Sequence, residues 1–154
     1  MEKIINIYTD GAASGNPGPG GLGVVMIYGN SRKEISEGFK LTTNNRMELL
    51  AVIRGLEAIK RDNSDIIIFT DSKYVSEAIN QRWLFGWEKK NFKGKKNPDL
   101  WKMLLPLYRK HKVKFQWVKG HAGNIENSRC DELAVAASRG KNLPDDTGYI
   151  TGLE

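Results

Sequence analysis

Two distant stretches of the chain share one pattern, Ile7-Tyr8-Thr9-Asp10 and Ile68-Phe69-Thr70-Asp71, each an apolar run that ends abruptly on a carboxylate. The first reads as a buried strand over residues 4–9, with isoleucines on both faces and hence a central position in a sheet. The second reads as a β-branched strand over residues 65–70. If the two are parallel neighbours, Asp10 and Asp71 end side by side, because adjacent strands lie about 4.8 Å apart. Ligands of open α/β sheets bind beyond such carboxyl ends. Two anions that close repel unless a cation sits between them or one is protonated. A plainer reading remains open for each residue. Asp10-Gly11 can be a turn entering a loop of Gly, Asn and Pro, and Asp71 can cap the helix that follows it.

The remaining elements fit around these strands. Leu22 to Tyr28 is a second apolar run, Gly29-Asn30-Ser31 offers a turn, and Ile35, Phe39 and Leu41 share one face of a third strand. The short connector after the first strand leaves no room for a helical crossover, so antiparallel neighbours are expected. Residues 44–61 form the strongest helix, with Leu49, Val52, Ile53, Leu56 and Ile59 on one stripe. A right-handed crossover then makes the 65–70 strand parallel to one already in the sheet. Helices follow over 72–81 and 98–111, the latter bent or ended near Pro106. A half-exposed strand covers 113–117, and a last helix 128–139 has the stripe Cys130, Leu133, Ala134 and Ala137. Residues 1–140 are expected to form a single domain, and the polar 141–154 stretch a loosely held tail.

Composition narrows the class. No apolar run approaches the roughly 18 residues of a membrane span. The N-terminus enters a strand with no signal-peptide pattern, and the lone Cys130 fits a reducing compartment, so a cytoplasmic protein without a membrane partner is expected. The formal net charge of +6 is unevenly placed. Residues 82–114 hold eleven Lys and Arg against Glu88 and Asp99, while acids outnumber bases elsewhere. Trp83, Trp87, Phe92 and Trp101 are interleaved with those cations, a composition suited to phosphates and to bases or sugars. Trp101 is expected in the core.

Two further acids stand out. Glu48 is the lone acid in Met47-Glu48-Leu49-Leu50-Ala51-Val52-Ile53. Burying it ionised requires a partner, either an Arg or a cation. Asp131 closes Ser128-x-x-Asp131, which also fits a helix capping box. Four acids and no cysteine cluster make an all-oxygen site, suited to Mg²⁺ or Mn²⁺ rather than zinc. Two such ions about 3.5–4 Å apart can activate water and stabilise the leaving oxygen of a phosphodiester. His121, in the loop Gly120-His121-Ala122-Gly123, is suited to a mobile proton shuttle by its ordinary pKa of about 6.5. Asn16, Thr43, Asn44 and Asn45 add small polar donors; an Asn can read a shallow minor groove and Thr43 can hold a phosphate. Thr43 and Asn44 also suit a helix cap.

As a set these residues resemble the bacterial type I family of ribonuclease H. The matching pieces are Thr9-Asp10-Gly11, residues 15–21, Thr42-Thr43-Asn44-Asn45-Arg46-Met47-Glu48-Leu49, Thr70-Asp71-Ser72 with Tyr74-Val75, residues 117–123, Cys130-Asp131-Glu132-Leu133-Ala134 and Asp146-Thr147-Gly148-Tyr149. They follow the family's order through nearly the whole chain. The resemblance implies an α/β ribonuclease H-like fold, a five-stranded mixed sheet flanked by helices on both faces. It implies endonucleolytic hydrolysis of the RNA strand of an RNA–DNA hybrid, leaving 5′-phosphate and 3′-hydroxyl ends. Asp10, Glu48, Asp71 and Asp131 match the family's metal-binding carboxylates, with two Mg²⁺ ions per site when substrate is bound and Mn²⁺ as a substitute. His121 matches the loop histidine that assists turnover. Asn16, Asn44 and Asn45 match minor-groove contacts, and Thr43 matches a DNA-phosphate contact. Trp83, Trp87 and Lys89 fall in the basic, aromatic handle, which is shorter here than in well-known members. Glu88 stands where a base is common and Phe92 where a Trp is common, so weaker or more salt-sensitive hybrid binding is expected. The protein is expected to act as a monomer. Two rivals stay open: a non-catalytic hybrid-binding module, and a DNA nuclease of the same fold.

Overall fold

The two Ile-aromatic-Thr-Asp stretches lie side by side. In the computed structural model, which describes residues 3–120 and 124–152, strand β1 (Ile5–Ala13) and strand β4 (Asp65–Thr70) pair in parallel, with Ile7 opposite Ile68 and Tyr8 opposite Phe69. The Tyr8 and Phe69 rings stack with centroids 4.6 Å apart. On the other face Ile7, Ile66 and Ile68 are buried in the core. Strands β2 (Gly18–Tyr28) and β3 (Ser31–Thr42) form the antiparallel hairpin, and β5 (Lys112–Trp117) completes a mixed sheet of order β3-β2-β1-β4-β5.

Helix α1 (Asn44–Glu57) covers one face, its Leu49, Val52, Ile53 and Leu56 buried as the stripe requires. Helices α2 (Lys73–Asn80), α3 (Trp83–Lys89) and α4 (Pro98–Lys110) follow β4 and precede β5, and α5 (Ile125–Ser138) crosses the opposite face. A short α6 (Thr147–Gly152) ends the described chain. The seat of α5 is made of glycines. A Cβ on Gly21, Gly23 or Gly38 would come within 2.3 Å of a backbone carbonyl oxygen of Ala134, Cys130 or Ala137, so the helix rests directly on the strand backbones. Among the described residues no helix is long and apolar enough to cross a membrane.

Several expectations need correction. Asp10 is no turn residue: β1 runs on through Gly11 to Ala13, with Asp10 opposite Gly23. The turn lies at residues 14–17, and the later glycines are strand residues with packing neighbours. A register shift in the β2–β3 pairing near Gly18 and Gly20 inverts the alternation, so Thr42 is buried and Leu41, expected to share a face with Phe39, is exposed. Helix α1 stops at Glu57 rather than 61. Ser72, not Asp71, caps α2, its hydroxyl accepting from the Val75 N–H at 3.2 Å. Helix α4 continues through Pro106 to Lys110. Asn124 caps α5, accepting from the N–H groups of Glu126 and Asn127, which places Ser128 and Asp131 inside the helix and removes the capping-box reading. The 141–152 stretch is tied down: Asp146 is buried and the Pro144 carbonyl accepts from the Lys40 N–H at 2.9 Å.

Candidate active site

Strand β1 delivers Asp10 to the α5 side of the sheet, while α1 brings Glu48 from the other side. They meet because Gly11 has no side chain. A Cβ there would stand 2.4 Å from the Glu48 nitrogen and from the Met47 carbonyl carbon. The Gly11 N–H donates to the Glu48 carboxylate and also to Asp10 Oδ1 at 3.0 Å. Asp71 follows the last residue of β4, and its carbonyl accepts from the Trp117 indole N–H at 3.0 Å. Lys73 lies over the Trp117 ring, 5.2 Å from its centroid.

One carboxylate oxygen from each of Asp10, Glu48 and Asp71 lies within 4.8 Å of the others. Burial pushes Asp10 up to about 6, helped by the charges of Asp71 and Asp131 and opposed by hydrogen bonds from Glu48 and Gly11. Burial also drives Glu48 well above its ordinary range, with Asp10 and Asp71 acting in the same direction. Burial and mutual repulsion thus both favour the protonated form of this pair. No basic side chain pairs with Asp10 or Glu48 among the described residues, so the Arg partner weighed for Glu48 does not exist there. Three clustered carboxylates, two of them buried with no basic side chain on them among the described residues, offer the hard oxygens that suit a divalent ion.

The triad opens into a cleft of about 390 Å³ lined by Asp10, Asn44, Asn45, Glu48, Asp71 and Asp131, with Lys73 and Tyr74 at its wall. Asp131 thus faces the cleft but stands apart from the tight triad. The neighbouring Cys130 thiol is buried, pushed up by that burial, and donates to the Tyr8 carbonyl at 3.2 Å, so it is a packing residue.

The expected substrate contacts divide into a rim and a handle. On the rim, Thr43 caps α1 by accepting from the Arg46 N–H at 3.2 Å, so its capping reading holds. The Asn16 side-chain oxygen Oδ1 accepts from the Asn44 N–H at 2.9 Å, and the Asn44 side chain accepts from the Ala13 N–H. These bonds lace the 14–17 turn to the start of α1 and use the carbonyl ends of both carboxamides, which turns their NH₂ groups to other acceptors. The handle does not line the cleft. Trp83 is 48% exposed on α3, Lys89 is exposed, and Trp87 is half-buried edge-on against Trp101 at 5.7 Å with Lys95 over its face. Trp101 is fully buried, and Phe92 has also gone into the core. Glu88 is held in a two-pronged pair by Arg109 at 2.6 and 2.8 Å. His121 lies outside the described residues.

Gly11, Trp117 and Gly120 were missed as site residues. Gly11 appeared as a turn former. Gly120 shows its role only in space, since a Cβ there would meet the Asp71 carboxylate at 2.8 Å.

A five-stranded mixed sheet with carboxylates clustered where the parallel pairing of β1 and β4 ends defines an acid-site α/β nuclease architecture. The RNase H family model matches residues 2–139. The chain is 54% identical to a Ribonuclease H of Trichodesmium erythraeum, over 94% of this chain and 95% of that protein. It is 56% identical to a Ribonuclease H of Desulforamulus reducens, over 94% and 93%. Among solved structures, LC9-RNase H1, a type 1 RNase H with the type 2 active-site motif, superposes with a TM-score of 0.82 at 29% identity, covering 100% of this chain and 82% of the other. LC11-RNase H1 in complex with RNA/DNA hybrid gives 0.66 at 28% identity, over 86% and 95%. This chain belongs to the ribonuclease H family.

Proposed function

We propose that the protein cuts the RNA strand of RNA–DNA hybrids internally, leaving 5′-phosphate and 3′-hydroxyl ends. The observation that carries this reading is the convergence of Asp10, Glu48 and Asp71 to within 4.8 Å in an open, polar-rimmed cleft. The hybrid bound by LC11-RNase H1 supports the substrate class. Mg²⁺, or Mn²⁺ in its place, would be held by Asp10, Glu48, Asp71 and Asp131, two ions per site with substrate, supplying an activated water and charge stabilisation at the departing oxygen. Water oxygen adds to phosphorus, the P–O3′ bond breaks, and the 3′-oxygen leaves protonated.

The chain's own groups prepare that step. The Gly11 N–H holds Asp10 and Glu48 in one orientation, and Glu48 gives up its proton as the site fills with positive charge. Gly120 and Trp117 fix Asp71 from behind. His121 is the proposed proton shuttle. The NH₂ groups of Asn16, Asn44 and Asn45 read the minor groove, where 2′-hydroxyls distinguish RNA from DNA. Thr43 keeps its hydroxyl proton for a DNA phosphate while its oxygen caps α1. Trp83, Trp87 and Lys89 hold the far part of the duplex. Residues 1–140 act as one catalytic domain, with the C-terminal stretch as its clasp, working as a monomer in the reducing cytoplasm.

The test uses labelled RNA in a hybrid, in an RNA duplex and as a single strand, beside a DNA duplex, with Mg²⁺ and with chelator. Mg²⁺-dependent cutting confined to the hybrid is expected. Binding without cutting would establish the module reading instead, and DNA cleavage the other nuclease reading.

A further inference from the structure

Arg46 occupies an unusual position: its side chain is 4% exposed, within the first turn of α1, and all five of its N–H donors are used. Nε and Nη2 fork onto Asp146 at 2.7 and 3.0 Å. Nη2 and Nη1 fork onto Asp99 at 2.7 and 2.9 Å, and Nη1 also donates to Asn97 Oδ1 at 3.2 Å. Asp146 further accepts from the Thr42 hydroxyl at 2.7 Å, and a Cβ on Gly148 would collide with the Asp99 carboxylate at 2.1 Å.

The partners come from different parts of the proposed binding surface. Arg46 adjoins Asn44 and Asn45 on the cleft rim. Asn97 is the last residue before α4, at the foot of the handle, and its NH₂ donates to the Tyr74 hydroxyl at 3.1 Å. The Trp101 indole donates to the same hydroxyl at 3.1 Å, and Trp87 packs edge-on against Trp101. A continuous chain of polar and ring contacts thus joins the rim to the handle through one guanidinium, with the C-terminal stretch closing it from outside.

We propose that Arg46, clamped by Asp99 and Asp146, is a positioning residue that fixes the spacing between the Asn44–Asn45 rim and the Trp83–Lys89 handle, so that one hybrid engages both. This rests on the hybrid-cleaving reading above. A planar fork on two carboxylates resists both rotation and translation, and a lysine with a single ammonium reproduces neither. The acids that do chemistry are anchored independently through Gly11 and the sheet, so the clamp governs where the duplex lies and leaves the chemical step alone.

The experiment compares wild type, Arg46→Lys, Trp83→Ala and the double variant on a short hybrid that fills only the cleft and a longer one that reaches the handle. Wild type should cleave both. On the long hybrid Arg46→Lys should raise KM about 5- to 10-fold with kcat within about twofold. That KM effect should shrink to within about twofold on the short hybrid and in the Trp83→Ala background. Asp99→Asn, which spares the Asp146 fork, should show the same pattern at smaller size and guards against misfolding of the lysine variant. A loss of equal size on both hybrids, additive with Trp83→Ala, would mean a merely structural role and overturn the proposal, as would an unchanged KM. A wild-type protein that cleaves neither hybrid would overturn the parent reading along with this one, a result visible before any variant is assayed.

Discussion

The acid end of the sheet and the basic handle are built on opposite plans. The cleft draws Asp10 from β1, Glu48 from α1, Asp71 from just past β4 and Asp131 from α5, and buries the first two while the others stay half-exposed. The handle is one contiguous stretch, largely exposed, whose path is set by left-handed residues at Arg82, Asn91, Phe92, Gly94 and Asn97. In the cleft each group's state depends on its neighbours, so one change should act steeply. In the handle charges face solvent and are screened, so changes should act in small, salt-dependent steps.

Asp71→Asn offers the sharpest separation of the two. It should lower cleavage at least about 10³-fold while hybrid affinity stays near wild type, measured by single-turnover kinetics beside a binding titration. Normal turnover by that variant would sink the assignment. Gly11→Ala comes next. Its methyl must displace the Met47–Glu48 backbone, so it should destabilise the fold by about 1–3 kcal/mol and reduce kcat as well, read by denaturant unfolding and rates together. A glycine of the handle, Gly86, meets nothing within 4 Å on gaining a Cβ and should tolerate the same change.

The third test uses pH. Because the folded pKa of Asp10 is pushed up to about 6, the folded metal-free protein binds more protons than the unfolded chain between the ordinary carboxylate range and that value. Its stability therefore falls as pH rises through that window and stays reduced above it. Asp10→Asn should reduce that slope, leaving the part that the burial of Glu48 contributes, and stabilise the metal-free protein at pH 8 by about 1–3 kcal/mol, even as it abolishes cleavage. A steeper slope in the variant would contradict the picture of a strained acid pair. The smallest effect belongs to Glu88→Gln. Releasing Arg109 and adding one positive charge should tighten hybrid binding about twofold at low salt, with no effect at high salt. A gain that persists at high salt would show that Glu88 does more than neutralise Arg109.

The sequence made the central strands legible because β-branched runs ending in an acid leave few alternatives; the 65–70 strand has the bounds expected of it. The three-acid core of the site was legible from the same pattern plus Glu48's apolar surroundings. Asp131 was legible only as a weaker fourth candidate, since Ser128-x-x-Asp131 mimics a helix start, and the resemblance added the weight that the spacing lacked. The continuation of β1 past Asp10 was hidden because residues 11–21 carry turn-forming side chains, and their strand pairing comes from α1 and α5 pressing on both faces. The short helix α3 was hidden because its seven residues, WLFGWEK, are too few to show a helical stripe and sit inside a longer basic, aromatic stretch. The docking of the C-terminal stretch depends on Arg46 meeting Asp146 one hundred positions away, a match that no local pattern encodes.

The glycine seat beneath α5 has a practical consequence for anyone wishing to make this protein hardier. Exchanging glycine for alanine is a standard route to a tougher chain, worth about 0.5–1 kcal/mol in a helix interior. At Gly21, Gly23 and Gly38 the same exchange would lift the helix that carries Asp131 and so widen the cleft. Those three positions act as a gauge block for the fourth carboxylate. Gly86, inside α3 with open space around it, is where the exchange belongs.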